Sequence, residues 1–207
     1  MGKSPPASLT GGITILKTTP ESEATGLTAE FYNDDLGSFG YVASQTKAMA
    51  INPEAFQAFE SMLHFITASM DLRRYELITL AAAQAIGSPH CRLAHGVKAL
   101  KAFPEDELGA VARDFHTAGL EPAEVAMMEY AEKLSRDATA MTDADTLELR
   151  NHGFTDREIM DITLAATARN FLSRTLLALA VDVDVPPTLS PKLKDALLAP
   201  LSARHPM

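Results

Sequence analysis

The sequence has one cysteine, no tryptophan, only 6% aromatic residues and no long apolar run. A single cysteine, Cys91, excludes an internal disulfide framework and fits a reducing, cytoplasmic environment. Basic residues are also scarce. Eighteen Lys and Arg against 27 Asp and Glu leave a formal charge of −9, with no basic cluster beyond the pair Arg73 and Arg74. Such a surface repels phosphate backbones, so no nucleic-acid partner is expected. The most apolar stretch, Ile78 to Ile86, is interrupted by Thr79 and Gln84 and is far short of a bilayer span. Residues 1–20 lack an apolar segment of signal-peptide length. Together these absences predict a cytoplasmic protein that does not enter a membrane.

What is present favours helices. The 207 residues include 33 Ala and 25 Leu, and 46% are hydrophobic, enough to fill one core with closely packed small side chains. The first residues, rich in Pro, Gly, Ser and Thr, sustain no apolar period and predict an extended arm over 1–27. From Thr28 the pattern turns helical through Phe31, Leu36, Val42 and Met49. Asn52-Pro53-Glu54 then supplies an N-cap, a first-turn proline and an acidic first turn. Asp71 caps a further helix, apolar nearly all round from Tyr75 to Ile86, which belongs inside the domain or at an oligomer interface. Gly87 ends it, and Ser88-Pro89 opens the next, running to about Phe103. Pro104 and Glu121-Pro122 start two more. Thr142-x-x-Asp145 and Thr155-x-x-Glu158 are capping boxes, the second opening the longest helix, which Val185-Pro186-Pro187 breaks. Ser190-Pro191 begins a short terminal helix. The expected fold is all-α, about eight helices without a significant sheet. Its main domain spans 28–185 and a C-terminal extension spans 186–207.

One constellation carries chemistry. Cys91 sits three residues after the cap Ser88, where free backbone N–H groups and the positive end of the helix dipole favour a thiolate. His95 follows at i+4, one turn along the same face, placed to give or take a proton. Glu76 lies on the preceding helix, joined through the Gly87-Ser88 turn, on the face of Leu72, Leu80 and Ala83. Each residue has a plainer reading: Cys91 as a small packing residue, His95 as a cap on a carbonyl, Glu76 as the i,i+3 partner of Arg73. His90 points to a different face and reads as a partly exposed supporting residue. His64, His116, His152 and His205 show no partner. Glu76, His90, Cys91 and His95 have metal-donor chemistry, but the spacing of His90 and His95 fits one helix face poorly, so no metal is expected.

Glu76, Ser88-Pro89-His90-Cys91 and His95 together resemble the signature Glu-x11-Cys-x2-Cys-x3-His of the AhpD-like alkylhydroperoxidases, in the carboxymuconolactone decarboxylase superfamily. The segments YAEKLSRD, NHGFTDREI and RNFLSR resemble its peroxidase-related branch. This resemblance implies an all-α family fold, a homo-oligomer, and catalytic roles for Cys91, His95 and Glu76. It also exposes a departure: Ser88 stands where the family has its first cysteine, so the internal dithiol cycle is closed. Serine there fits an N-cap accepting the Cys91 N–H. What remains is reduction of a hydroperoxide by the Cys91 thiolate, restored by an external thiol reductant and needing no cofactor. Two other readings stay open. One is a decarboxylase acting on a muconolactone-type acid, with Arg73, Arg74 or Arg92 holding carboxylates. The other is a non-catalytic helical oligomer or redox sensor. Asn170 and Arg174 of RNFLSR read as buried structural links to a neighbouring helix.

Overall fold

The computed structural model describes residues 6–9 and 15–202; residues 1–5 and 10–14 of the arm and 203–207 of the C-terminal extension, His205 among them, lie outside the described residues. Among the described residues are ten α-helices: α1 (Gly26–Ser38), α2 (Ser44–Met49), α3 (Pro53–Thr67), α4 (Leu72–Ile86), α5 (Pro89–Ala99), α6 (Glu105–Arg113), α7 (Pro122–Arg136), α8 (Asp143–Asn151), α9 (Asp156–Ala178) and α10 (Pro191–Ser202). One small sheet joins them, β1 (Ala7–Ser8) pairing antiparallel with β2 (Asp184–Val185). The fold is thus all-α, with more helices than the eight expected. The difference arises chiefly because the run from Thr28 to Met49 is two helices, interrupted at Gly40, whose φ is +81°.

The caps form where the sequence places them. Asn52, Asp71 and Ser88 side chains accept the N–H of Ala55, Arg74 and Cys91, and Thr155 exchanges bonds with Glu158. Helix ends are less regular. The longest helix was expected to run to Val185 but stops at Ala178. There Ala180 adopts φ +47° and the Val181 N–H returns to the Leu176 carbonyl at 3.1 Å, an αL closure made by alanine instead of glycine.

Helix α4 is the centre of the molecule. Leu77 through Ala83 are each no more than 1% exposed, enclosed by α5, α7 and α9 of the same chain. Its all-round apolarity is therefore spent inside the domain and supplies no oligomer interface. Helix α10 covers α5 and α6. Gly96 makes this possible, since a Cβ on it would overlap Leu197 Cδ1. Arg92 is buried in the same region. Its guanidinium donates to the carbonyls of Leu197, Leu80 and Ala112, tying α10, α4 and α6 to α5.

Candidate active site

The turn between α4 and α5 sets the register of the site. Gly87 closes α4 with φ +83°, and the N–H groups of Gly87 and Ser88 both return to the Ala83 carbonyl. Ser88, fully buried, then caps α5 through the Cys91 N–H at 3.4 Å. Two helices leave this turn side by side. Glu76 of α4 meets His95 of α5, with Oε2 2.7 Å from Nδ1, and both side chains are buried. The pairing of Glu76 with Arg73 is not formed: Arg73 bonds Glu107 and Glu124 instead.

Cys91 is 1% exposed, and its partners come from a third helix. Ser173 Oγ donates to Sγ at 3.1 Å and Arg169 Nη1 at 3.5 Å, both from α9. The other arm of the same guanidinium, Nη2, donates to Tyr75 Oη at 3.1 Å. The Tyr75 ring stands edge-on to the His95 ring at 5.8 Å. Among the described residues no hydrogen bond joins Cys91 to His95. They are linked through Arg169 and Tyr75 instead of directly. Arg169, His95 and Lys98 line a small cavity of about 70 Å³, with Phe56, Phe59 and Glu60 of α3 opposite.

Burial sets the proton chemistry. Removal from water pushes the Glu76 carboxyl up to about 7, against the opposing charges of Lys98, Arg169 and Lys101. Burial likewise holds His95 well below its ordinary value, and the charges of Arg169 and Lys98 act in the same direction. Arg169 itself is raised: burial lowers it, but Cys91 and Tyr75 outweigh that, so it remains a buried cation beside the sulfur. A neutral Glu76 donates its proton to Nδ1 and leaves Nε2–H as a donor. An ionised Glu76 accepts from Nδ1–H and leaves a lone pair on Nε2. Loss of one proton from Glu76 thus changes His95 Nε2 from acid to base.

Several expectations change. His90 is 7% exposed instead of partly exposed, and its Nε2 donates to the Val181 carbonyl at 2.7 Å, away from the sulfur. Glu76, His90, Cys91 and His95 therefore do not converge as donors. Among the described residues no group of three or more His, Cys, Asp and Glu side chains is arranged to hold a metal. None of the three arginines considered for substrate carboxylates is available: Arg92 holds carbonyls, Arg73 is paired as above, and Arg74 bonds Glu158. His116 pairs with Asp114 and Glu129, and His152 with Glu148, while the His64 ring meets Phe65 edge-on. Arg174 does link to a neighbouring helix, through the Ser135 carbonyl at 2.9 Å, but it is exposed, while Asn170 Oδ1 is buried without a partner.

The residues missed were Arg169, Ser173 and Tyr75. A signal for two of them was present. Ile162, Ala165, Ala166, Arg169, Ser173 and Leu176 form the buried stripe of α9, so RNFLSR places a cation and a hydroxyl in an otherwise apolar row.

Residues 53–133 match the family described as the carboxymuconolactone decarboxylase family. No curated protein matches the chain. Among solved structures, it is similar to an alkylhydroperoxidase AhpD core, an uncharacterized peroxidase-related protein from Ralstonia eutropha JMP134, with TM-score 0.73 and 19% identity over 88% of this chain and 95% of that one. It is similar to an uncharacterized peroxidase-related protein from Silicibacter sp. TM1040, with TM-score 0.69 and 26% identity over 82% and 94%. The debrominase Bmp8, in a cysteine-to-alanine form bound to 2,3,4-tribromopyrrole, shares the fold at TM-score 0.73 and 17% identity over 94% and 100%.

Proposed function

We propose that this chain, whose residues 53–133 match the carboxymuconolactone decarboxylase family and whose fold is similar to that of AhpD-like peroxidase-related proteins, reduces organic hydroperoxides with the single thiolate of Cys91. The observation that carries this reading is the sulfur held between the Ser173 hydroxyl and the Arg169 guanidinium, one helical turn from the Glu76–His95 pair. Donors aimed at a sulfur stabilise its anion, and a buried cation does so without competition from water. The Cys91 thiolate attacks the terminal oxygen of the hydroperoxide. A sulfur–oxygen bond forms as the oxygen–oxygen bond breaks, and the departing alkoxide takes the proton of His95 Nε2, which Glu76 replaces through Nδ1. Sulfur is oxidised to a sulfenic acid and the peroxide is reduced to an alcohol. One external thiol then displaces water to give a mixed disulfide, and a second releases the Cys91 thiol as the external disulfide. Ser88 is buried as the cap of α5 and takes no part in electron transfer. The supporting role of His90 is confined to holding the Val181 carbonyl.

The test is dimedone trapping after one equivalent of cumene hydroperoxide. An adduct on Cys91, absent in Cys91→Ala together with peroxide consumption, is expected. Equal consumption by Cys91→Ala would overturn the reading.

A second reading has its own observation. Arg169 and Lys98 beside His95 make the 70 Å³ cavity suited to a carboxylate, as decarboxylation of a lactone acid requires. That reaction would survive in Cys91→Ala, which separates the two. A second copy of the chain is the partner we assign to the exposed apolar residues of α3 and α9, Phe65, Met62, Met160 and Phe171, which are 73%, 45%, 55% and 51% exposed.

A further inference from the structure

Helix α5 carries a third polar side chain on the face of Cys91 and His95. Lys98 follows His95 at i+3, one turn farther along, and lines the cavity of about 70 Å³ with it. Lys98 is exposed, so a solute reaches it from solvent. Its ammonium nevertheless feels charges from four helices: Glu60 of α3, Glu76 of α4, Cys91 of α5 and Arg169 of α9. Three of these helices wall the cavity, which places the amine among the groups around it. Among the described residues no hydrogen bond or ion pair holds Lys98. Lys47, Lys133, Lys192 and Lys194 are each paired with a carboxylate.

The surroundings favour an uncharged amine. Burial lowers the Lys98 ammonium first and the charge of Arg169 adds to it, while Glu76, Glu60 and Cys91 oppose both without reversing them. A lysine partly desolvated beside another cation is the form of amine that attacks a carbonyl carbon. The attack gives a carbinolamine, whose hydroxyl leaves as water once protonated. Glu60 lines the same cavity from α3, and burial raises its carboxyl toward the form that holds a proton to give. The space limits the guest. One water needs only about 10–15 Å³, and a cavity of roughly 150 Å³ engineered in another protein accepts benzene, so 70 Å³ holds about three or four non-hydrogen atoms and no ring.

We propose that Lys98 is a nucleophilic amine that takes small aldehydes and ketones, of the size of acetaldehyde or acetone, as a covalent imine. The nitrogen lone pair forms the bond to the carbonyl carbon, and the carbonyl oxygen leaves as water with the two amine protons. Hydrolysis reverses the condensation, and nothing is oxidised or reduced. The site does not depend on peroxide reduction at Cys91. Its test is trapping on the full, reduced chain at pH 7 with acetaldehyde and cyanoborohydride, whose hydride converts the imine to an N-ethyl amine, followed by peptide mass mapping of every lysine. N-ethylation of Lys98 should exceed that of any other lysine about tenfold, through the larger share of free amine and the acid beside it. Benzaldehyde, too large for the cavity, should show no such preference. Lys98→Arg keeps a positive charge but has no amine to condense, so it should lose this label and leave the label on the other lysines unchanged. A carboxylate held by Lys98 as an ion pair leaves no covalent product, so trapping also separates this use of Lys98 from the decarboxylase reading. Equal labelling of the lysines, labelling led by a lysine other than Lys98, or the same preference for Lys98 with benzaldehyde would overturn the proposal.

Discussion

Replacing Glu76 with glutamine should stabilise the protein in alkali and leave it unchanged in acid. The sign follows from the raised carboxyl. Folded, Glu76 holds its proton up to about 7, whereas its ordinary value is 4.5. The native state therefore binds the proton more tightly than the unfolded chain. That contribution is complete below 4.5 and is lost as pH rises to about 7, above which folding buries a charged carboxylate. At roughly 1.4 kcal/mol per pH unit, the interval corresponds to about 3 kcal/mol. Glutamine has no proton to lose and can still donate from its amide to His95 Nδ1. His95 acts on the opposite side: its lowered value gives stability that is present above its ordinary 6.5 and lost as pH falls below it. It is common to both proteins, so the alkaline limb isolates Glu76.

Urea unfolding of reduced wild type and Glu76→Gln, from pH 5 to 8.5, measures the difference directly. The two curves should lie within about 1 kcal/mol of each other at pH 5 and separate to about 3 kcal/mol above pH 8, or about 6–12 °C in melting temperature for a chain of this size. A constant difference across that range would refute the burial argument for Glu76. Peroxide reduction offers a second readout. The change of His95 Nε2 from acid to base at about pH 7 should appear as an inflection in the wild-type rate and vanish in Glu76→Gln.

Further outcomes are expected at the sulfur and at the helix turn. Ser173→Ala should slow peroxide attack about tenfold in stopped flow, through loss of a hydrogen bond to an anion worth about 1.5 kcal/mol; an unchanged rate would remove Ser173 from the site. Arg169→Lys should not restore what Arg169→Met loses, measured as the rate of Cys91 alkylation, because one ammonium cannot bridge both Sγ and Tyr75 Oη. Gly87→Ala meets no steric neighbour but must keep φ +83°, so a loss of about 1–2 kcal/mol in urea unfolding is expected from backbone strain alone. Ser88→Cys should let two thiols close to a disulfide on mild oxidation, because the residue-88 side chain already touches the Cys91 backbone; two titratable thiols after oxidation would count against that proximity. Phe65→Glu should lower the oligomer mass in sedimentation if a second copy covers α3 and α9.

The parts of this molecule that were legible in sequence are those governed by local rules. Asn52, Asp71, Ser88, Thr155 and Ser190 each accept a backbone N–H three residues on, and that relation needs no knowledge of tertiary packing. The Glu76–His95 contact was readable for a related reason, since a two-residue turn leaves neighbouring helices little choice but to pack together. Where an end depended on tertiary contacts, sequence failed: α9 stops at Ala178 on a left-handed alanine that carries no local signal. His90 was misjudged in the same way, because the Val181 carbonyl that buries it is 91 residues distant in the chain.

Arg169 shows what kind of reasoning could have gone further. A guanidinium in the row of Ile162, Ala166 and Leu176 cannot be solvated, and an unpaired buried charge would cost several kcal/mol, a large share of the net stability of a domain. It therefore required partners rich in electrons, and α9 offers none on that face beyond Ser173. The same reasoning applied to α5 finds a buried thiol, and applied to α4 finds Tyr75. Two of the arms do go there, one to Cys91 and one to Tyr75. The cation is thus explained by the sulfur as much as the sulfur by the cation: a structural Cys91 in a purely apolar setting would leave Arg169 with only a phenol to offset its burial. That mutual pairing is what favours the proposed role of Cys91 over that of a cysteine that merely fills space.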